Sequence, residues 1–140
     1  MTNDTDTAPL ANRHLRIGWG SLLLFVLLGG ALEAMHGFKV DWYLAVGNET
    51  QRLLWRLAHA HGTFLSLVHI AFAVTVPRMA QPPRIASACL CGASVALPGG
   101  FLLGAFGSQG GDPGVGIALV PLGLVLMVVA VAGCLRALRS

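Results

Sequence analysis

The residues whose side chains could bind a cofactor or take part in a reaction lie in two short stretches of an otherwise apolar chain. They are Glu33, His36, Arg56, His59, His61 and His69. Ionisable groups inside an apolar run are costly to place in lipid, so each is by default a candidate for a functional site. Imidazole is a ligand for haem iron, copper and zinc. The sequence therefore raises the possibility of a bound cofactor or metal ion.

The first stretch ends in Glu33-Ala34-Met35-His36, a Glu-x-x-His spacing. This spacing puts a carboxylate and an imidazole on one helix face, as in di-iron helix bundles. Such bundles need two of these motifs, and this chain has one. Two interpretations stay open: a metal-ligand pair, or a Glu and a His solvated at a membrane surface.

The second stretch carries histidines that point in different directions. Successive residues of a helix turn by about 100°, so His59 and His61 face nearly opposite sides. His59, Gly62, Ser66 and His69 recur at three- and four-residue spacing. We call these four residues the polar stripe and predict that it packs in an interior. His61 then faces another helix, another subunit or the lipid boundary, the last being the least favourable place for an imidazole. The alternative is that all three histidines are hydrogen-bonded packing residues.

The composition excludes most soluble protein classes. The chain has 140 residues, 55% of them hydrophobic and only 11% charged. A soluble domain carries about 25% charged residues. The net charge of +3 comes from Lys and Arg at the ends of apolar runs, which is typical of membrane topology and not of nucleic-acid binding. A soluble enzyme and a nucleic-acid-binding module are therefore excluded.

Four apolar runs are each long enough to cross a bilayer as a helix. They cover residues 17–36, 53–76, 85–106 and 115–135. Short turns between them predict an all-α, integral membrane, up-down-up-down four-helix bundle over residues 15–140. Residues 1–14 are predicted to be a disordered polar leader. Residues 40–45 are predicted to form a short helix on the outer surface.

The distribution of Lys and Arg predicts the orientation. One side holds Arg13, Arg16, Arg78, Arg84, Arg136 and Arg139, and the other holds Lys39, Arg52 and Arg56. Cytoplasmic loops carry the excess of these residues, so both termini are predicted to be cytoplasmic, in a multi-pass protein of the inner membrane. Glu33, His36, His59 and His61 would then form a polar cluster in the outer half.

Three cysteines lie inside apolar runs, at Cys89, Cys91 and Cys134. Thiols two residues apart diverge on a helix, so Cys89 and Cys91 do not form a metal motif together. We predict that all three are packing residues. The chain has no Cys-x-x-Cys-His sequence, which excludes covalent c-type haem attachment.

The most distinctive stretch reads RLAHAHGTFL over residues 56–65, and its helix is predicted to end near Val76-Pro77-Arg78. It resembles the second helix of small four-helix membrane proteins related to subunit I of the haem-copper oxidases. The resemblance implies that His59 is an axial ligand of haem b. The third and fourth runs lack histidine, so oxygen reduction and proton pumping are not implied. The second axial ligand would be His36, a histidine of another copy, or absent.

Three functions from different classes remain. The first is a haem b-binding membrane protein in electron transfer, haem handling or sensing, with Arg56 paired to a haem propionate. The second is a copper or zinc site formed by Glu33, His36, His59 and His61. The third is a cofactor-free accessory subunit of a respiratory or transport complex.

No nucleophile–base pair or phosphate loop is visible, so we expect no catalytic activity from the chain alone. The imidazole of His61 points away from the polar stripe and needs a hydrogen-bond partner elsewhere. We therefore expect a homo-oligomer or a larger membrane complex.

Overall fold

The chain folds into four long helices and one short one, in a computed structural model that describes residues 4–79, 81, 83–109 and 111–139. The helices are α1 (Asp4–Gly37), α2 (Asp41–Leu44), α3 (Glu49–Thr75), α4 (Arg84–Phe106) and α5 (Leu119–Arg139). Single 3₁₀ turns lie at Val46–Asn48, Val76–Arg78 and Val115–Ala118. The described residues contain no β-strand, so the predicted all-α class is confirmed.

Four segments are long and apolar enough to cross a membrane. They are Thr7–Gly37, Val46–Arg78, Arg84–Phe106 and Val115–Arg139. Large apolar side chains on α5, among them Leu124 and Val128, are exposed on the chain taken alone. Such side chains are expected to face lipid, where an exposed apolar surface carries no cost.

The long helices alternate in direction. Along α1 and α3 the contacts run from His14 with His69 to Phe25 with His59, so the two helices are antiparallel. Helix α3 packs on α4, and α4 packs antiparallel on α5. We call the end that carries α2 and the α4–α5 turn the α2 end. The opposite end, where α1 begins and α5 ends, is the termini end.

Helix α1 begins earlier than the apolar run indicates. It starts at Asp4 and so passes through most of residues 1–14, where we predicted a leader without structure. Leu10 packs against the main apolar core, and the side chain of His14 is fully buried. Tertiary packing therefore holds this polar segment in the helix despite its composition.

The short helix predicted at 40–45 is present as α2. Its Tyr43 is buried and Trp42 is half exposed. Trp55 of α3 packs against both rings, with centroids 5.5 Å from Trp42 and 6.4 Å from Tyr43. Arg52 donates a hydrogen bond to the Tyr43 carbonyl at 2.7 Å. These contacts hold α2 over the α2 end of the α1–α3 pair.

The turn between α4 and α5 depends on a close backbone approach. The Gly114 N–H donates to the Gly104 carbonyl at 2.8 Å. A Cβ at Gly114 would lie 2.6 Å from the Cα of Gly107, a distance that real side chains do not adopt. Glycine is therefore required where this turn folds back on α4.

Candidate functional site

Helices α1 and α3 pack through matched residues along their whole shared length. From the α2 end to the termini end, the facing pairs are Gly29 with His59, Phe25 with Gly62, Ser21 with Ser66, and His14 with His69. Each ring faces a glycine or another ring, and the two hydroxyl oxygens are 2.7 Å apart. The polar stripe is thus an interior helix face, as its spacing predicted.

A cavity of about 400 Å³ lies at the α2 end of this helix pair. It brings together four of the residues singled out in the sequence: Glu33, His36, Arg56 and His59. Glu33, His36 and Arg56 are exposed on it, whereas His59 is half-buried. We call this space the α2-end cavity. His61 and His69 do not line it.

The hydrogen bond of His59 determines its tautomer. Its Nδ1 lies 2.7 Å from the backbone carbonyl oxygen of Phe25. A carbonyl oxygen only accepts, so Nδ1 carries the proton and donates it. The neutral ring then has its lone pair on Nε2. His59 is therefore held in the tautomer that can bind a metal or haem iron through Nε2.

Gly29 makes this position of the His59 ring possible. A Cβ on Gly29 would lie 2.8 Å from Nδ1 and 2.9 Å from Nε2 of His59. Every larger residue has a Cβ at this point whatever its rotamer, so replacing Gly29 creates a clash with the His59 ring. The imidazole must then move. Glycine at this position therefore sets the place of the ring.

His61 faces the other side of α3, as its spacing predicted. Its Nδ1–H donates to the Leu57 carbonyl at 2.8 Å, one turn earlier on the same helix. Its ring contacts Phe101 of α4, with centroids 4.8 Å apart. One polar atom of His61 is thus satisfied inside the chain, and the ring lies against another helix.

His69 lies at the termini end in a second cluster, together with His14 of α1. The two Nδ1 atoms are 2.7 Å apart, and both side chains are fully buried. The rings are stacked at 4.8 Å between centroids. The Nε2 atoms contact hydroxyls of α4: His14 with Ser87 and His69 with Ser94, each at 2.7 Å. Three helices therefore meet at this histidine pair.

One serine determines the direction of the hydrogen bonds in this pair. Ser94 Oγ donates to the Leu90 carbonyl at 2.9 Å. Its single proton is then used, so it accepts from Nε2–H of His69. The Nδ1 of His69 is left as the acceptor for Nδ1–H of His14. Ser87 then donates to Nε2 of His14, and every polar atom of both rings has a partner.

A thiol and a guanidinium complete the cluster. The Sγ of Cys91 lies 3.1 Å from the NH2 of Arg13, which donates to it. One ligand atom from each of His14, His69 and Cys91 can be chosen such that all three lie within 4.8 Å of one another. Across residues 4–79, 81, 83–109 and 111–139, no other group of three His, Cys, Asp or Glu side chains converges in this way. We call these three residues the His-His-Cys cluster.

The sequence pattern indicated His69 as a candidate but not His14, and Cys91 was predicted to be a packing residue. His14 fell in the segment predicted to lack structure, and Cys91 is alone on its helix face. A signal was present in α1: His14, Gly18, Ser21, Phe25 and Gly29 recur at three- and four-residue spacing. Four of these five residues face the four residues of the polar stripe once the helices are set antiparallel, and Gly18 lies against Ile70.

The all-α fold with four helices long and apolar enough to cross a membrane indicates the class, a multi-pass α-helical membrane protein, and the histidines fall into separate clusters at its two ends. Comparisons with protein-family models, with curated proteins and with solved structures find no match to this chain. The resemblance to the second helix of oxidase-related proteins therefore stays a prediction.

Proposed function

We propose that the protein binds haem b in the α2-end cavity, with His59 as an axial ligand. The observation that carries this proposal is the hydrogen bond from His59 Nδ1–H to the Phe25 carbonyl. Histidines that bind metal nearly always donate their other ring N–H to a carbonyl, a carboxylate or water. His59 has this arrangement on a cavity that also holds a second histidine and an arginine.

The residues around the cavity fit haem in three respects. His59 supplies one imidazole, and His36, on the same cavity, is the candidate for the second. Arg56 offers a guanidinium for a propionate, one turn before His59 on α3. Gly29 has no side chain, so the His59 ring can lie directly against the backbone of α1 beside the cavity. When bound, haem b would supply an iron that takes up and releases one electron, with a potential adjusted by its ligands and the apolar surroundings.

The charge distribution supports an orientation for this site. The termini end carries Arg13, Arg16, Arg78, Arg84, Arg136 and Arg139, and the α2 end carries Lys39, Arg52 and Arg56. By the positive-inside tendency, both termini lie in the cytoplasm and the α2-end cavity opens in the outer half of the inner membrane. A haem there would be accessible to an electron donor, a haem donor or a signal on the outer side.

The test is a visible absorption spectrum of protein purified from haem-replete membranes. We expect a Soret band in the wild type and its loss or a strong shift in His59→Ala. His61→Ala is the matched control, because His61 is also an imidazole bonded to a backbone carbonyl but lies outside the cavity. A wild type without Soret absorption, or a His59→Ala protein with an unchanged spectrum, would contradict the proposal.

A second candidate is a copper or zinc ion in the same cavity. It is favoured by one observation: Glu33, His36 and His59 all line this space, although their side chains would have to move together to share an ion. Metal analysis of protein without a Soret band would support it if Glu33→Gln and His59→Ala each lowered the metal content. Protein that carries neither haem nor metal at this cavity would favour the cofactor-free accessory subunit.

Self-association remains part of the proposal. The exposed apolar faces of α1 and α5 suit lipid or a second copy equally well. A dimer could supply the second axial histidine in place of His36. Mass photometry of the protein in lipid nanodiscs would distinguish a single copy from an oligomer.

A further inference from the structure

We infer that the His-His-Cys cluster at the termini end is a second site, which binds a soft transition-metal ion, Cu(I) or Zn(II). The inference is independent of the haem proposal, because no residue of the cluster lines the α2-end cavity. It depends on two features of the described residues: the convergence of the ligand atoms and the hydrogen-bond partners of the two histidine rings.

The ligand atoms are close to a binding geometry. The Nδ1 atoms of His14 and His69 are 2.7 Å apart and share one proton. With metal–nitrogen bonds of about 2.0–2.1 Å, two ligating nitrogens stand roughly 3.3–3.6 Å apart. An opening of less than about 1 Å therefore converts the hydrogen-bonded pair into a ligand pair. The thiol of Cys91 is the third donor, with its Sγ within 4.8 Å of a ring nitrogen of each histidine, and it must come closer to bind the same ion.

The hydroxyls of Ser87 and Ser94 lie where they can accept hydrogen bonds from the ring nitrogens that do not bind the metal. If both Nδ1 atoms bind the ion, both Nε2 atoms carry protons and need acceptors. Ser87 and Ser94 lie 2.7 Å from these atoms on the far sides of the rings. Such partners orient the rings of metal-binding histidines and fix their tautomers.

The protons balance without an added reactant. The proton on Nδ1 of His14 moves to Nε2 of the same ring, and the hydroxyl of Ser87 changes from donor to acceptor. The Cys91 thiol releases its proton to solvent as the sulfur–metal bond forms. Arg13 donates to the Sγ of Cys91 at 3.1 Å, and its guanidinium must turn away from the sulfur when a cation binds there. Arg13 is exposed and Cys91 is half-buried, so the sulfur side of the cluster is the side that an ion can reach.

The donor set indicates which ions would bind. Thiolate with imidazole selects Cu(I) and Zn(II) over hard ions such as Mg²⁺ and Ca²⁺. A trigonal set of two nitrogens and one sulfur is sufficient for Cu(I). Zn(II) prefers four ligands and would add a water on the Cys91 side. The two ions give different coordination numbers and are separated by spectroscopy.

The experiment measures binding of Zn(II), and of Cu(I) under reducing conditions, to metal-stripped full-length protein in detergent, against a chromophoric competitor. We expect one equivalent bound by the wild type. Cys91→Ala should weaken binding at least tenfold. Cys89→Ala is the matched control, since Cys89 lies two residues away and packs against the apolar core; its affinity should equal that of the wild type. Ser94→Ala, which removes a hydrogen-bond partner but no ligand, should weaken binding by about 10- to 100-fold.

X-ray absorption gives a readout that a merely structural role would not produce. A bound zinc should show one sulfur at about 2.3 Å and nitrogens at about 2.0–2.1 Å, and the sulfur shell should vanish in Cys91→Ala. The inference is overturned if the wild type binds no stoichiometric ion, or if Cys91→Ala and His69→Asn both bind as the wild type does.

The two proposals fail separately. His59→Ala should keep the metal of the His-His-Cys cluster, and Cys91→Ala should keep any Soret band. Loss of the metal in His59→Ala, with full retention in Cys91→Ala, would assign the ion to the α2-end cavity and overturn the inference.

Discussion

Two fully buried imidazoles, His14 and His69, meet nitrogen to nitrogen at 2.7 Å between the first and the third helix. A contact of this kind needs one ring to donate and the other to accept. The structure supplies that asymmetry through Ser94, which donates to the Leu90 carbonyl and so accepts from His69. The pair is thus fully bonded without a charge, and this is the state in which imidazoles are least costly to bury.

The histidine pair should stabilise the fold even without metal. His69→Ala leaves the buried Nδ1–H of His14 without its acceptor, whereas Ser94 keeps its bond to the Leu90 carbonyl. Leaving such a group unpaired costs about 1–3 kcal/mol. We expect the free energy of unfolding, measured with chelator present by denaturant titration in micelles, to fall by at least that amount. His36→Ala, at an exposed position, is the control and should change it little.

The two histidines should also be energetically coupled. A double-mutant cycle with His14→Ala and His69→Ala should give an interaction free energy of about 0.5–3 kcal/mol, the range for residues in direct contact. Additive losses of stability would show that the two rings do not interact in the membrane protein as they do in this structure.

Gly29→Ala should disturb the α2-end cavity. The added Cβ meets the His59 ring, with Nδ1 at 2.8 Å, so the ring must leave its bond to the Phe25 carbonyl. We expect lower haem occupancy, measured as the Soret-to-protein absorbance ratio. The neighbouring Gly30 has open space at the same point, so Gly30→Ala should retain the wild-type ratio. Equal behaviour of the two variants would argue against His59 as a ligand held in this position.

Gly62→Ala should destabilise the α1–α3 pair by a steric conflict with Phe25. The added methyl group would overlap the Phe25 ring, which packs directly on Gly62. Overpacking of this kind costs about 1–3 kcal/mol. A second substitution, Phe25→Leu, should restore part of the lost thermal stability. A melting temperature that the second change lowers further would contradict this packing.

The orientation proposed from the basic residues predicts which ends react with impermeant reagents. In a protein without its native cysteines, Lys39→Cys at the α2 end should be labelled by a membrane-impermeant maleimide in intact cells. Arg84→Cys at the termini end should be labelled only after the cells are opened. The reverse pattern would place both termini outside.

The helices could be predicted from sequence because backbone N–H and C=O groups in lipid must be hydrogen-bonded within their own segment, and a helix achieves this. Four apolar runs, the short helix at 40–45 and the opposite faces of His59 and His61 all follow from length and periodicity, and the structure contains each of them. A polar cluster of Glu33, His36, His59 and His61 was predicted from their depth; the first three line the α2-end cavity, and His61 does not.

The His-His-Cys cluster could not be predicted in this way. Its members lie on three helices, and their meeting depends on the register between those helices, which no local pattern fixes. His14 was further hidden because a polar segment precedes it, and propensity alone gives no reason to extend α1 to Asp4. Contacts such as that of Leu10 with the core decide the helix start.

The matched packing of α1 against α3 links the two histidine clusters through one helix pair. His59 and His69 lie ten residues apart on α3, which is about 15 Å along the axis. Each faces its own partner on α1, with the Phe25–Gly62 and Ser21–Ser66 contacts between them. A rotation or slide of α3 that adjusts one histidine therefore carries the other with it.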